Sequence, residues 1–495
     1  MNFADAIRYM PDKTTENGAV AHSTLNDPLL ELFAQAGALR ERSEEEIAQK
    51  FMDAYMARPS LATRMLFYIG NIRGGLGERR TFRICLNALA KHNPQVVKDN
   101  FNNIAAFNRF DSFFALVDTP LEGQMWRYLR TTLAYDKICM QEGKSCSLLA
   151  KWLPSEKASS AKTRELYMRA IHGMGLTPRT YRKVVSALRK YIDVTECKMS
   201  AKDWGAIDYE AVPSKAMLNY RNAFNKHNHD RFAAYLDNVS KGEAKINAGT
   251  LYPYDLVGKY THSYDYYANY GMGVSVDPVI EQQWRALPNY IEGNNNVLVM
   301  ADVSGSMTGR PMDTSIGLAI YFAERNNGAY EDIYMTFSDD PKFMCIDRGQ
   351  SLARNVHKVM NTDIGYNTDL EAAFEKILDS AIRCHVEDDE MPKALIVISD
   401  MEIDHYIRNY GLDFVEEMKG RFEVRGYTMP RLILWNVEAR HDTFLSKDPS
   451  VVYVSGQSVS TFKTVLGVVD GDTAWDVMVR TLMDPMYDRV VTQNA

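Results

Sequence analysis

Apolar positions fall into two regimes along the chain. From about Asp27 to Val257 they recur at helical spacing with little period-two alternation. The windows are Pro28–Leu39, Glu44–Met56, Ser60–Ile69, Thr81–Lys91 and Gln95–Phe101, then Ala161–Met174, Pro178–Tyr191, Ser214–Lys226 and Asp230–Lys241. Helix-stopping residues such as Pro59, Pro94 and Pro178 stand in short connections, the pattern of successive antiparallel helix pairs. Pairs stacked in series make a curved solenoid that can close into a ring. No strict sequence period accompanies them.

Beyond about residue 291 strands and helices are expected by turns. Apolar runs at Val297–Ala301, Asp332–Phe337, Ala394–Ser399, Arg431–Val437 and Val451–Val454 predict strands. Met312–Arg325, Asp369–Ile382, Phe462–Leu466 and Ala474–Leu482 predict helices. The expected fold class is therefore α + α/β: an all-α helical-repeat (HEAT-like) domain that can form a ring, followed by a doubly wound, Rossmann-like α/β domain. The expected division is an arm at 1–26, the helical domain at 27–257, a linker at 258–290 and the α/β domain at 291–495. A tyrosine-rich stretch from Tyr252 to Tyr270, with Tyr264, Tyr266 and Tyr267, runs into that linker.

At 495 residues the chain exceeds the size at which one core keeps growing, so two or three domains are expected. It contains no run of 18 or more apolar residues, and Met1-Asn2-Phe3-Ala4-Asp5-Ala6 lacks the basic start and apolar core of a secretory signal. Six scattered cysteines (Cys85, Cys139, Cys146, Cys197, Cys345, Cys384) without a C-x-x-C pair argue against a disulfide framework and a zinc site. A reduced, cytoplasmic protein without membrane association is expected.

The net charge of -7 conceals an asymmetry. Residues 148–250 hold 18 Lys and Arg against 10 Asp and Glu, a net of +8 that leaves -15 for the remainder. A basic segment in an acidic protein is the footprint of a nucleic-acid-binding surface, with a solvated helical face as the plain alternative. Bases interleave with aromatics from Lys151-Trp152 to Lys202-Asp203-Trp204, through Tyr181, Arg182, Lys183, Arg189, Lys190, Tyr191 and Lys198. Single-stranded RNA is held by such phosphate contacts and by stacking. Trp152 and Trp204 equally fit a core, and His227 and His229, with no further ligand near, fit a polar helix end. Nothing points to DNA specificity.

The densest chemistry is Asp302-Val303-Ser304-Gly305-Ser306, directly after Val297–Ala301. It places a carboxylate and two hydroxyls at the carboxyl end of a buried strand, where a doubly wound sheet gathers its ligands. An all-oxygen set with few carboxylates suits a hard divalent cation such as Mg²⁺. Thr368, ending the turn Gly365-Tyr366-Asn367-Thr368, and Asp400, closing the strand Ala394–Ser399, stand ready to complete it. An ordinary strand-to-helix turn with an N-cap would account for the first motif. It would leave Thr368 and Asp400 unexplained.

This order of D-x-S-x-S, loop threonine and strand-end aspartate resembles the von Willebrand A domain and its metal-ion-dependent adhesion site (MIDAS). The resemblance implies that Asp302, Ser304, Ser306, Thr368 and Asp400 surround one metal, with a coordination position left to water or to a partner's carboxylate. Two places depart from the family pattern. Met401 stands where glycine is usual, and Tyr366-Asn367 where a glycine pair is common. Both bear on loop conformation more than on ligands.

Several amino-terminal segments resemble the TROVE module of the Ro ribonucleoprotein autoantigen family. More closely, they resemble intracellular and viral proteins that join a TROVE-like helical half to a von Willebrand A domain. These segments are Ile72-Arg73-Gly74-Gly75-Leu76-Gly77-Glu78-Arg79-Arg80, Phe107-Asn108-Arg109-Phe110-Asp111, Leu149 to Ser155, Tyr181-Arg182-Lys183 and Lys241 to Gly249. In the first, three glycines permit a left-handed turn between helices while Arg73, Arg79 and Arg80 project from one corner. No Gly-Lys-Ser/Thr follows, so it is not a P-loop. A glycine-rich turn in which Glu78 pairs with an arginine is the structural alternative to RNA contact.

The expected function is a non-catalytic RNA-binding scaffold of ribonucleoprotein type. Small or single-stranded RNA would lie along Arg73, Arg79, Arg80, Lys151, Arg182, Lys183, Lys198, Lys202 and Lys245, and a Mg²⁺-binding von Willebrand A domain would dock partners. The alternative is a metal-dependent protein-interaction or assembly module, without RNA, whose partner carries an acidic residue. No H-E-x-x-H, P-loop, kinase set or nucleophile elbow marks an enzyme.

Overall fold

A computed structural model describes residues 12–15, 19–262, 274–293, 295–337, 340–361, 368–403, 414–468 and 471–492. The class is α plus α/β: helices predominate, beside one six-stranded mixed sheet and a two-stranded ribbon of β1 (Lys13–Thr14) and β2 (Val20–Ala21). The chain divides into two compact units. One joins Met1–Thr81 to Ala248–Tyr487, and the other joins Phe82–Asn247 to Asp488–Ala495.

This division differs from the expected boundaries at 27, 257 and 290. Helix Pro28–Gln35 belongs with the sheet because it packs against the sheet's last strand. It starts at an Asp27 cap and buries Leu29, Leu32 and Phe33. It leads into Gly37, whose amide donates to Ser455 Oγ at 2.9 Å. A Cβ on Gly37 would stand 2.4 Å from the Gly456 Cα, so this close backbone approach needs glycine.

The sheet comprises β3 (Val297–Asp302), β4 (Ile333–Phe337), β5 (Phe343–Cys345), β6 (Ala394–Ser399), β7 (Arg431–Asn436) and β8 (Val452–Ser455). Its order is β5-β4-β3-β6-β7-β8, with β5 antiparallel at the edge and the other neighbours parallel. Both faces are covered, which is why the strands read as continuous apolar runs. Leu298, Met300, Leu395, Val397, Leu432 and Leu434 join a core with Phe374 and Ile377 of helix Leu370–Cys384 and Val415 and Phe422 of helix Phe414–Val424. On the other face Trp435 meets Phe462 at 4.9 Å between ring centroids. There Ser315, in helix Arg310–Arg325, donates to the Ile398 carbonyl.

The segment expected to be a linker is built into this unit. Helix Pro253–Thr261 presses on helix Arg310–Arg325 so closely that a Cβ on Gly317 would lie 2.6 Å from Pro253 Cβ. Helix Pro278–Arg285 buries Val279, Ile280 and Trp284. Its Glu281 accepts from the amides of Leu352 and Ala353 at 2.8 and 3.1 Å, capping helix Leu352–Met360. Tyr264, Tyr266, Tyr267 and Tyr270 lie outside the described residues.

The second unit is helical. Pro178–Tyr191 and Ser214–His227 follow the expected windows, whereas the window at 95–101 splits into Pro94–Asp99 and Phe101–Phe107. Asn100 causes the break: its side chain donates to the carbonyls of Val96 and Val491 and accepts from the Val491 amide. A 20-residue helix, Glu122–Gln141, packs with Met125, Trp126, Leu129 and Leu133 inward. Among the described residues no helix is long and apolar enough to cross a membrane.

Candidate functional site

From β3 the chain builds β4 and β5 on one side of the sheet, then β6, β7 and β8 on the other. The order therefore reverses between β3 and β6, and a crevice opens beyond their carboxyl ends. Asp302 is the last residue of β3, and Asp400 follows β6 directly. Two carboxylates are thus delivered to neighbouring strand ends.

Around them the polar groups form one chain. Ser399 Oγ donates to Asp302 Oδ2 at 2.6 Å, and the Ser304 amide to Asp302 Oδ1 at 2.9 Å. The hydroxyls of Ser304 and Ser306 are 3.1 Å apart. Asp400 Oδ1 accepts from the Glu402 amide at 3.2 Å, and the Thr368 hydroxyl donates to the Glu402 carbonyl at 3.2 Å. Asp302, Ser304, Ser306 and Asp400 are therefore gathered at the strand ends, and Thr368 is joined to them through Glu402. All but the half-buried Ser306 are buried.

Burial, and next the charge of Asp400, push the Asp302 carboxyl up to about 7. Burial raises that of Asp400 as well, against the lowering effects of the Glu402 amide, Arg440 and the Ser306 hydroxyl. Asp400 Oδ2 is buried without a hydrogen bond. The Arg440 guanidinium, 3.7 Å away, is its ion-pair neighbour. A buried carboxylate oxygen without a hydrogen bond, beside a second carboxylate, is costly unless a cation stands near it. The donors suit a hard divalent ion, being two carboxylates and neutral hydroxyls. Among the described residues no group of three or more His, Cys, Asp or Glu comes together, so hydroxyls have to complete any metal shell here.

Met401 has φ 66°, the left-handed conformation that glycine usually supplies. This bend lets the Met401 amide donate to Ser399 Oγ at 3.0 Å and turns the Glu402 amide back to Asp400. The Met401 side chain stays in the core. The departure at Tyr366-Asn367 lies outside the described residues. Ser399, Glu402 and Arg440 complete the site and were not singled out from sequence. Ser399 could have been, since it precedes Asp400 on a strand end; nothing local marks Arg440.

The candidate RNA contacts fall in both units. In the helical unit Lys183, Lys202 and Lys245 are exposed. Arg182 pairs with Glu156 at 3.1 Å and Lys198 with Asp193 at 2.7 Å. Lys151 lies by the Trp152 ring, over which the Arg109 guanidinium sits at 3.9 Å. Trp204 stacks on His227 at 4.4 Å, and Tyr181 is buried with its hydroxyl on the Pro154 carbonyl. These rings already have partners. A surface cleft of about 550 Å³ in the same unit is lined by Lys98, Asp99, Phe101, Asn102, Gln124, Arg127 and Tyr128.

In the sheet-bearing unit Arg73 and Arg79 are exposed, but Arg80 donates to the carbonyls of Arg40 and Arg42 at 3.1 and 2.9 Å. Buried Glu78 does pair with an arginine, Arg40, through two hydrogen bonds of 2.6 and 3.2 Å. Gly75 is required by packing, since a Cβ there would stand 2.2 Å from the Tyr68 carbonyl oxygen. Most of this glycine-rich turn is structural.

Two family models match the chain. Domain of unknown function (DUF7788) covers residues 296–484, starting one residue before β3. Domain of unknown function (DUF2828) covers residues 15–112 and 135–296. Uncharacterized protein L728 of Acanthamoeba polyphaga mimivirus is 28% identical over 498 residues, spanning 91% of this chain and 84% of that protein. With its model matched over just over half of the residues, the chain belongs to the DUF2828 family.

Proposed function

We propose that this is a non-catalytic binding protein whose sheet-bearing unit is a von Willebrand A-like domain with a Mg²⁺ site. Asp302 and Asp400, with Ser304, Ser306 and Thr368, would hold the ion, and a protein partner's acidic side chain would complete its coordination. The bound ion would supply a positive centre for that carboxylate. The observation that carries this reading is the buried Asp400 Oδ2, which accepts no hydrogen bond, beside Asp302 at the strand-order reversal. The serine and threonine hydroxyls add no charge beyond that of the two aspartates, and a coordination position left open between them is the place for a partner's carboxylate or for water. The test is thermal unfolding with and without Mg²⁺, because an ion bound to the folded state alone stabilises it by mass action. Wild type should melt higher with Mg²⁺ and Asp400→Asn should not respond. An equal response in both would reject the site.

A second reading, the RNA scaffold of Ro-like type, is favoured by a different observation. Helix Pro178–Tyr191 has no acidic residue and exposes Arg179, Arg182, Lys183 and Lys190. The cleft of the same unit adds the exposed cations Lys98 and Arg127, with Asp99 beside them. In this reading the helices form a HEAT-like repeat able to close on RNA in the cytoplasm. Sequencing nucleic acid that survives a salt wash of the purified protein tests it. A defined set of small RNAs supports the scaffold, and a nucleic-acid-free protein leaves the metal-dependent docking module.

A further inference from the structure

The guanidinium of Arg440 lies where a cation is wanted. Its Nη2 is 3.7 Å from Asp400 Oδ2 and donates to the carbonyl oxygen of Ser306, so it touches both halves of the proposed metal site. The same side chain reaches a third carboxylate, as Nε and Nη2 each lie 3.0 Å from Glu438 Oε2. Glu438 is itself held by its amide on Asn436 Oδ1 at the end of β7.

The backbone under Arg440 is fixed. The Ala439 amide donates to the Ala38 carbonyl at 3.0 Å, and the Ala439 carbonyl accepts from Arg42 Nε at 2.9 Å. Arg42 also grips Asp442 at 2.8 Å. The arginine side chain, 34% exposed, is itself held by the Ser306 carbonyl and Glu438.

We propose that Arg440 is a built-in counter-cation. It neutralises Asp400 when no divalent ion is bound and, to admit one, gives up its 3.7 Å approach to Asp400 while keeping the Glu438 bonds it already makes, so that the Arg440–Glu438 pair sets the cation affinity of the site. This rests on the metal reading above. Two cations cannot share one buried carboxylate oxygen at contact distance without strong repulsion. Incoming Mg²⁺ thus competes with the guanidinium, and Glu438, already bonded to it, holds it once it leaves Asp400.

Calorimetric titration of the full chain with MgCl₂ tests this, after unfolding in EDTA has shown that each variant is folded. Arg440→Gln should bind Mg²⁺ roughly ten-fold more tightly and Glu438→Gln several-fold more weakly. In the double variant the effect of Glu438→Gln should disappear, because it acts through the arginine. Equal or weaker binding by Arg440→Gln would overturn the proposal and make the guanidinium a brace for the Ser306 turn. A Glu438→Gln effect that persists in the double variant would also overturn it. If Arg440→Gln does not fold, Glu438→Gln decides, and unchanged or tighter binding overturns the proposal. Absence of Mg²⁺ binding in wild type and variants alike would remove the metal reading and this inference together, an outcome distinct from equal binding in all.

Discussion

Replacing Asp302 with asparagine should make the metal-free protein more stable above neutral pH while abolishing its response to Mg²⁺. Asp302 is fully buried, and burial together with the Asp400 charge pushes its carboxyl up to about 7. Lifting a carboxyl from 3.8 to about 7 corresponds to on the order of 4 kcal/mol against the charged form. The folded state favours the neutral form. The stability this gives is complete below the unfolded value of 3.8 and is lost as pH rises through 7. Asparagine keeps an oxygen for the Ser304 amide, and the Ser399 hydroxyl can turn to accept from its NH₂. Some charge-assisted bonding is given up, about 1.5–3 kcal/mol, so a net gain of about 1–3 kcal/mol is expected near pH 8. Urea unfolding in EDTA and in Mg²⁺, at about pH 5 and 8, measures it. Wild type should lose stability between the two pH values in EDTA and recover it with Mg²⁺; the variant should change much less with pH and ignore the ion. A variant less stable than wild type near pH 8 in EDTA, or one that still responds to Mg²⁺, would refute the reasoning.

Three further outcomes are expected. Met401→Gly relieves a left-handed conformation costing about 1 kcal/mol but empties a core position worth about 2–5 kcal/mol; the urea midpoint should fall by an amount equivalent to about 1–4 kcal/mol, and a rise would contradict the packing. Gly75→Ala drives a methyl into the Tyr68 carbonyl and should cost about 1–3 kcal/mol or more in the same assay, whereas a neutral result would mean that the turn relaxes freely. If RNA follows helix Pro178–Tyr191, changing Arg179, Arg182 and Lys183 together to Gln should flatten the slope of log K against log salt by about 2; an unchanged slope would move RNA off this face.

Expectation and structure agree where a local pattern decides the outcome. Ala394–Ser399 and Pro178–Tyr191 appear with their expected bounds, the first as an apolar run buried on both faces and the second between Pro178 and a basic last turn. Asp302, Ser304, Ser306 and Asp400 meet because strand ends adjacent in the sheet hold them, and the motif spacing already encodes strand ends. The helix Glu122–Gln141 escaped because Thr131, Thr132, Tyr135 and Asp136 blur its stripe; its inward positions 125, 129 and 133 are legible once the packing is known. The pairing of helix Pro28–Gln35 with β8, more than 400 residues away, and the reach of Arg440 to Asp400 depend on tertiary contacts that no local period carries.

The sheet-bearing unit is made from two stretches of chain separated by the whole of Phe82–Asn247. On a ribosome, helix Pro28–Gln35 emerges long before β8, the strand it packs against. At about 5–20 residues per second its partner follows roughly 20–80 s later. During that interval the amino-terminal helices carry an uncovered apolar face while Phe82–Asn247 is synthesised and free to fold. Release of nascent chains before residue 455 should therefore yield aggregates, not a folded amino-terminal fragment.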